Sequence, residues 1–282
     1  MDVRMWFSIC FIPYHMQDAA TVREKVLFAN AISIMEVDVD TKDVAVLIGH
    51  GDSHGVLSLD YDSQNKYVYF PRYNAMDIVR FPYPSPSRTL EHVVNTSANP
   101  VGVAVDSSND HVYWVTPYYY SDSNKVSRCK SDGTNVVVFT SLNQYTFMIR
   151  LDLTNSWMYL GYYTTGISKS RFDLTDISMI KNFTYGGFSH VSSMDIDLSE
   201  QRLYWMTYYD GIQSVNVDGS NVTTIISINS QTALGVIGNY IYYTGNNNQL
   251  LMTRKSQGST PTVLYNDTSY IRGIYGFYLT GM

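Results

Sequence analysis

A short aliphatic–aromatic cluster recurs six times along the 282 residues of the chain at nearly constant spacing. The six clusters are Val26–Phe28, Val68–Phe70, Val112–Trp114, Met158–Leu160, Leu203–Trp205 and Ile241–Tyr243. Their central residues, at positions 27, 69, 113, 159, 204 and 242, are about forty residues apart. Strand-forming residues with this period are typical of a radial repeat protein, in which each unit is a small antiparallel sheet that cannot bury both of its faces alone.

The third unit shows how strands are arranged within one repeat. Four strand-forming runs are separated by polar turns: Val101–Val105, His111–Val115, Lys125–Cys129 and Val136–Phe139. Asp132-Gly133 lies between the last two runs, Asp218-Gly219 occupies the same place in the fifth unit, and Asp-Gly between strands is a strong hairpin signal. Four strands in each of six units predict an all-β protein, a six-bladed β-propeller with four-stranded antiparallel blades.

The two ends of the chain are expected to build one blade together. The first unit contains outer strands only, at Val26–Asn30, Ser33–Val39 and Val44–Ile48. We expect the C-terminal run Ile271–Tyr278 to add the missing strand, because closure of the ring removes the exposed edges of an open sheet. The propeller is therefore predicted over residues 25–282.

Residues 1–24 are interpreted as a possible leader or extension. Met5–Ile12 is apolar and precedes the small pair Ala19-Ala20, which fits a weak secretory signal and equally a stray strand. Asp18–Lys25 is the one segment that could support a short helical turn. No stretch approaches the roughly twenty apolar residues that span a bilayer, so no transmembrane segment is predicted in this chain.

An aspartate lies seven residues before the central tyrosine in four units, at Asp62, Asp106, Asp152 and Asp197. Each aspartate opens a polar stretch that is typical of a hairpin turn. The four are too evenly distributed to converge on one ion, so we interpret them as turn-capping residues. No metal site and no cofactor is predicted.

Charge and cysteine content narrow the class of protein further. The net charge is −6 and is spread along the chain without a run of like charges, which argues against a nucleic-acid partner. Only Cys10 and Cys129 are present, so no disulfide framework is implied. Four N-glycosylation triplets begin at Asn95, Asn182, Asn221 and Asn266 and favour an extracellular context weakly.

The repeats resemble the YWTD propeller (class B repeats) of the low-density lipoprotein receptor family, over roughly residues 25–282. The strongest matches are Asn99–Asp106 followed by His111–Thr116, and Met194–Asp197 followed by Arg202–Thr207. The chain departs from the family motif at its closing aspartate, which is replaced by Arg72, Thr116, Tyr162, Thr207 and Gly245. In the family this aspartate ties neighbouring blades together, so a divergent member must join its blades through other groups.

The resemblance implies a non-enzymatic, extracellular module, either secreted or part of a receptor ectodomain, that binds a protein or peptide ligand as a monomer. The alternative is a calcium-dependent propeller hydrolase or lyase acting at the central channel. Three or more convergent carboxylate or amide oxygens at the channel mouth would favour that enzyme, and an apolar or arginine-lined mouth would favour the binding module. Inner-strand residues are mostly apolar or small, with Asn99 and Arg150 as polar exceptions.

The predicted ligand site is a tyrosine-rich face. In a four-stranded blade, the connection from the second to the third strand emerges on the same face as the link to the next blade. The tyrosines expected there are Tyr118, Tyr119, Tyr120, Tyr162, Tyr163, Tyr208 and Tyr209, with Arg72 and His190 on the rim. Exposed aromatic residues with a polar rim are typical of protein-recognition surfaces. For any single tyrosine, packing between blades is an equally good interpretation.

Overall fold

The computed structural model describes residues 22–117, 124–139, 142, 144–183, 191–228 and 232–280. These residues form six four-stranded antiparallel sheets arranged as the blades of a closed ring. The protein is a six-bladed β-propeller, as the repeats predict.

The strands are numbered in chain order. Those of the first half are β1 (Val22–Ala29), β2 (Ser33–Asp38), β3 (Val44–Gly49), β4 (Asp60–Asp62), β5 (Tyr67–Arg72), β6 (Asp77–Pro82), β7 (Glu91–Asn95), β8 (Gly102–Asp106), β9 (His111–Thr116), β10 (Lys125–Lys130), β11 (Val137–Phe139) and β12 (Thr146–Asp152). Those of the second half are β13 (Trp157–Tyr162), β14 (Gly166–Ser170), β15 (Ser178–Asn182), β16 (Val191–Asp197), β17 (Arg202–Thr207), β18 (Gly211–Asn216), β19 (Thr223–Ile226), β20 (Leu234–Ile237), β21 (Tyr240–Gly245), β22 (Gln249–Arg254), β23 (Thr262–Asn266) and β24 (Gly273–Thr280). A short 3-10 helix covers Asn246–Asn248.

Blade 1 is built from both ends of the chain and has the strand order β24-β1-β2-β3. The strands β24 and β1 pair antiparallel over eight positions, from Val22 opposite Thr280 to Ala29 opposite Gly273. This pairing confirms the predicted closing strand. It also shows that the expected helical turn is wrong over its described part, since Val22–Lys25 are extended in β1.

Blades 2 to 6 each use four consecutive strands, namely β4–β7, β8–β11, β12–β15, β16–β19 and β20–β23. The first strand of each blade is the inner one and the fourth is the outer one, with β24 as the inner strand of blade 1. Because neighbouring strands are antiparallel, the ends of the second and fourth strands lie on one face of the ring. We call this the upper face. The face that carries the turns between first and second strands is the lower face.

Six apolar clusters form the core, and each fills the space between two adjacent blades. Along β5, for example, Val68 and Phe70 pack against blade 1, whereas Tyr69 packs against blade 3. Successive side chains of a strand point to opposite faces of the sheet, which explains this division. Phe70 is fully buried, and burial of such a side chain contributes about 1.5–3 kcal/mol to folding.

The four evenly spaced aspartates cap the turns on the lower face, as predicted. Asp62 accepts hydrogen bonds from the backbone amides of Gln64 and Asn65, and Asp106 accepts the equivalent pair from Ser108 and Asn109. Asp152 and Asp197 accept corresponding amide hydrogen bonds in blades 4 and 5. These carboxylates therefore hold their own hairpins and do not converge.

Candidate functional site

The structure describes five of the nine residues predicted to form the ligand site. Tyr118, Tyr119, Tyr120 and His190 lie outside the described residues. The remaining five are Arg72, Tyr162, Tyr163, Tyr208 and Tyr209. They occur at the ends of second strands or in the turns that follow, which places them on the upper side of blades 2, 4 and 5.

Tyr208 and Tyr209 are the most exposed aromatic residues of this group. They occupy the turn between β17 and β18, with 40% and 51% of their surfaces exposed. Their ring centroids are 4.8 Å apart and the rings are nearly perpendicular. The turn itself is fixed by Thr207, whose hydroxyl accepts a hydrogen bond from the Asp210 amide at 3.0 Å. Two aromatic rings are thus presented to solvent by a well-defined hairpin.

Tyr162 is buried between two blades and is therefore not placed to contact a ligand. It is 3% exposed and belongs to the apolar cluster between blades 3 and 4. Its hydroxyl is hydrogen-bonded to the Ser168 hydroxyl at 2.6 Å. Tyr162 follows Leu160 by two residues in β13, so both side chains point to the same buried face. We therefore leave Tyr162 out of the ligand surface proposed below.

Tyr163 comes next in the chain and is half-buried on the upper side of blade 4. Its ring lies 5.2 Å from that of Tyr145 in an edge-to-face arrangement, and 6.1 Å from that of Phe147. Its backbone amide donates to the Tyr145 carbonyl at 2.8 Å. Tyr145 and Phe147 precede or begin the inner strand of blade 4 and extend the aromatic surface beyond the residues that the sequence predicted.

Arg72 is held by an acidic partner within its own blade. Its guanidinium donates two hydrogen bonds to the Asp77 carboxylate, at 2.9 and 2.5 Å. Asp77 lies opposite Arg72 in the β5–β6 ladder, so the pair closes that hairpin. This arrangement gives Arg72 a structural role at the rim of the upper face.

A second aromatic group on the upper face lies between blades 1 and 2, outside the nine residues of the predicted ligand site. The His54 ring is stacked on the Tyr73 ring, with 4.1 Å between centroids. Arg272 approaches His54, with 3.4 Å between Nη1 and Nε2, and its guanidinium lies 4.6 Å from the centre of the Tyr270 ring. Tyr270 is 45% exposed. Tyr73 and the link that carries His54 are expected on this face from the order of the strands, but no pattern in the polar links predicts that His54, Tyr73 and Arg272 meet.

The histidines of the first inter-blade link resist protonation. His50 is buried, its Nδ1 accepts from the Asp52 amide at 3.1 Å, and burial lowers its pKa. Burial, followed by the nearby Arg272 guanidinium, lowers the pKa of His54. Both side chains are therefore neutral at pH 7, and their protonation requires more acidic conditions than those for an exposed histidine.

The axis of the ring is occupied by a polar network that joins blades. The Ser58 hydroxyl is within 3.4 Å of both the amide and the carbonyl of Val103, and Asp60 Oδ2 accepts from the Val105 amide at 2.7 Å. Three blades further round the ring, Ser193 makes the same two contacts with Leu234. Asp195 Oδ2 accepts from the Val236 amide at 2.8 Å.

Arg150 crosses this axis. Its Nε donates to Asp195 Oδ1 at 2.9 Å, and Nη1 donates to the Ile149 carbonyl at 3.0 Å. Arg150 and Asp195 are buried, with 5% and 7% of their surfaces exposed. Among the residues that the structure describes, no group of three or more histidine, cysteine or acidic side chains is arranged to hold a metal ion. A group of three convergent carboxylates, which would favour the calcium-dependent alternative, is therefore not found among the described residues.

Cys129 is a buried free thiol in the cluster between blades 2 and 3. Burial raises the pKa of this thiol to about 12. A thiol in such surroundings is protonated at pH 7 and has little nucleophilic character. Cys129 is thus a core residue rather than a reactive group.

The four asparagines of the glycosylation triplets, Asn95, Asn182, Asn221 and Asn266, are all exposed. Asn95, Asn182 and Asn266 end the outer strands of their blades, and Asn221 lies two residues before the outer strand of blade 5. None of the helices in the described segments has the length and hydrophobicity needed to cross a membrane.

Comparison with known proteins supports the fold. No family model matches the chain. One chain in the crystal structure of a nidogen/laminin complex superposes with a TM-score of 0.76 and 16% sequence identity. The match covers 90% of this chain and 98% of that chain. A structural similarity of this quality at 16% sequence identity establishes that the two chains share the propeller fold.

Proposed function

We propose that this propeller is an extracellular, non-enzymatic module that binds a protein or peptide ligand through its upper face. The observation that carries the proposal is the exposed pair Tyr208 and Tyr209, which presents two aromatic rings on a fixed hairpin. Tyrosine supplies a large contact area and a polar tip at low cost in conformational entropy, and it is enriched at binding hot spots.

Further aromatic residues on the same face support this proposal. Tyr163 with Tyr145 lies on blade 4, and Tyr73 with His54 lies between blades 1 and 2. Ile32 and Met76, in the equivalent hairpins of blades 1 and 2, are 71% and 44% exposed. Apolar groups spread among polar links are typical of a protein-recognition surface. The proposed contact surface keeps Tyr118, Tyr119, Tyr120 and His190 as predictions.

The chemistry of the channel favours binding over catalysis. Asp60 and Asp195 each accept a backbone amide from the next blade, and Asp195 also pairs with Arg150. Both carboxylates are thus engaged in joining blades. The calcium-dependent hydrolase or lyase has no supporting observation among the described residues.

The extracellular assignment rests on the resemblance to YWTD propellers and on the exposed asparagines of the glycosylation triplets. One protein of known structure that shares the fold comes from a nidogen/laminin complex, which is a protein–protein assembly. We propose that this chain is a divergent relative of YWTD propellers, acts as a monomer and carries glycans on some of Asn95, Asn182, Asn221 and Asn266. Mass spectrometry of protein made in a secretory host tests the glycans, and unmodified asparagines would contradict the assignment.

The binding proposal is tested with purified laminin as the first immobilised probe, and with extracellular-matrix extract as a source of other ligands. We compare the wild type with a Tyr208→Ser/Tyr209→Ser variant. A matched control is Val222→Ser, which removes an exposed apolar residue near the outer strand of blade 5 and retains its glycosylation triplet.

We expect the tyrosine variant to bind at least about 30-fold more weakly, which corresponds to about 2 kcal/mol, with an unchanged melting temperature. The control should bind as the wild type does. A tyrosine variant that retains full affinity for every ligand bound by the wild type would overturn the assignment of this face.

A further inference from the structure

A cavity of about 660 Å³ lies on the axis of the ring and opens on the lower face, opposite the tyrosines. Its opening is marked by turn residues that follow the inner strands, including Ser63, Ser107 and Ser199. Cavities of this volume hold drug-sized ligands or a few amino-acid side chains. The proposed protein-binding surface makes no use of it.

The wall of this cavity is largely apolar. Val105, Leu151, Val236 and Phe277 contribute from four different blades. At the rim, Leu198 and Tyr278 have 44% and 52% of their surfaces exposed. Tyr278 belongs to the closing strand, so the cavity is complete only in the closed ring.

The floor of the cavity contains more negative than positive charge. Two carboxylates, Asp60 and Asp195, face one guanidinium, that of Arg150. Arg150 is matched by Asp195 at 2.9 Å, which leaves the Asp60 carboxylate as the surplus charge. Tyr275 also lines the floor.

The acidic residue at the rim, Asp197, already has a cationic partner. Lys255 forms an ion pair with Asp197 and also lies 3.5 Å from Glu200, which does not line the cavity. Among the acidic residues of the lining, Asp60 is therefore the one without a cation of its own.

The Asp60 carboxylate has room for further hydrogen-bond donors. A carboxylate offers about four acceptor sites. Two are used, by the Val105 amide at 2.7 Å and the Tyr61 amide at 2.8 Å. Burial raises the pKa of Asp60 to about 6, which reflects a charge that the surrounding groups do not fully stabilise.

We propose that the lower mouth of the central channel is a second binding site, which takes a ligand with an apolar body and a cationic amino or guanidinium head. The head pairs with Asp60 at the floor and the apolar body contacts the wall. A lysine or arginine side chain within a peptide and a small aralkylamine share this chemistry. Since this site lies on the lower face, the result of testing it does not depend on whether the upper face binds a ligand.

The probes are 4-phenylbutylamine and 4-phenylbutyric acid, which have similar apolar bodies and opposite charges. Isothermal titration calorimetry at pH 7.5 measures both against the wild type, Asp60→Asn and Asp43→Asn. Asp43→Asn is the matched control, because it removes the same charge from an exposed residue. Tyr208→Ser is a second control, because it changes the upper face and does not alter the residues that line the cavity.

We expect the amine to bind the wild type at least ten times more tightly than the acid. Asp60→Asn should weaken amine binding at least tenfold, whereas Asp43→Asn and Tyr208→Ser should leave it unchanged. Equal affinity for the two probes would overturn the proposal, as would equal loss in Asp60→Asn and Asp43→Asn.

A measurement on the wild type alone covers the case in which Asp60→Asn fails to fold. Titration of the amine at pH 6 in two buffers of different ionisation enthalpy gives the number of protons released on binding. Pairing of the amine with Asp60 favours its ionised form, so release on the order of half a proton per site is expected. Binding without proton release would place the amine elsewhere.

Discussion

The Asp60 carboxylate accepts a hydrogen bond from the Val105 backbone amide at 2.7 Å, across the gap between the inner strands of blades 2 and 3. Asp195 and Val236 repeat this relationship between blades 5 and 6. In both places a serine two residues earlier, Ser58 or Ser193, contacts the backbone of the same neighbouring strand. A Ser-x-Asp sequence on an inner strand thus joins one blade to the next, in a chain whose YWTD-like clusters lack the closing aspartate.

The serine contacts between blades are expected to contribute measurably to stability. Ser193→Ala removes a buried hydroxyl that bridges β16 and β20, and it leaves the Leu234 amide without that partner. Loss of such hydrogen bonds costs about 1–2 kcal/mol. Urea denaturation measures the change, with Ser63→Ala as a control at an exposed turn position. Equal stabilities of the two variants would contradict a structural role for Ser193.

The stability of the fold should depend on the ionisation of Asp60. Burial raises its pKa from 3.8 to about 6, although Arg150 and two backbone amides oppose the shift. The nearby Asp195 carboxylate adds to the increase, because two negative charges repel each other. A raised carboxyl pKa stabilises the fold fully below the unfolded value, near pH 4, and this contribution is lost as the pH rises through 6.

Asp60→Asn should therefore be more stable than the wild type at pH 7.5, by roughly 1–3 kcal/mol. The difference should disappear at pH 4, where the wild-type carboxyl is protonated. Urea denaturation at pH 7.5, 6 and 4 gives the three comparisons. The control Asp43→Asn should have the same free energy of unfolding as the wild type at all three pH values. If Asp60→Asn differed from the wild type by the same amount at every pH, the ionisation of Asp60 would not be the cause of the difference.

The closing strand should be essential for cooperative folding. Removal of residues 273–282 deletes β24, exposes the inner edge of β1 and takes Ile274 and Phe277 from two inter-blade cores. We expect this truncated chain to lose its single sharp thermal transition in circular dichroism.

A milder change in the same strand gives a quantitative version of this test. Phe277 is 7% exposed, and Phe277→Ala should cost about 3–5 kcal/mol. Its neighbour Tyr278 is 52% exposed, so Tyr278→Ala should change stability by less than about 1 kcal/mol. Similar losses from both changes would be inconsistent with the described orientation of β24.

Two tyrosines on the upper side should respond differently to removal of their hydroxyls. Tyr162→Phe breaks the buried hydrogen bond to Ser168 and should lower stability by about 1–2 kcal/mol. Tyr208→Phe alters an exposed residue and should stay within about 0.5 kcal/mol of the wild type. Thermal denaturation distinguishes the two, and a neutral Tyr162→Phe would mean that this hydroxyl is not buried in solution.

The sequence by itself determined the architecture of the propeller. Its six repeated clusters located the second strands β1, β5, β9, β13, β17 and β21, and Ile271–Tyr278 anticipated β24 (Gly273–Thr280). This succeeded because a blade is assembled from neighbouring antiparallel hairpins, whose strands and turns are encoded locally. Period-two alternation along β13 could also have shown that Tyr162 points to the same buried side as Leu160.

Only the tertiary structure decided which side chains meet on the axis. Asp60, Arg150, Asp195 and Tyr275 come from four different inner strands, and closure of the ring brings Tyr275 beside Asp60 from the other end of the chain. No local pattern encodes such a convergence, so Arg150 stood out in the sequence only as a polar exception. The pairing of His54 with Tyr73 likewise depends on how a link folds over the next blade. Local periodicity specifies a strand and its two faces, whereas the partners of a polar side chain are fixed by the arrangement of all six blades.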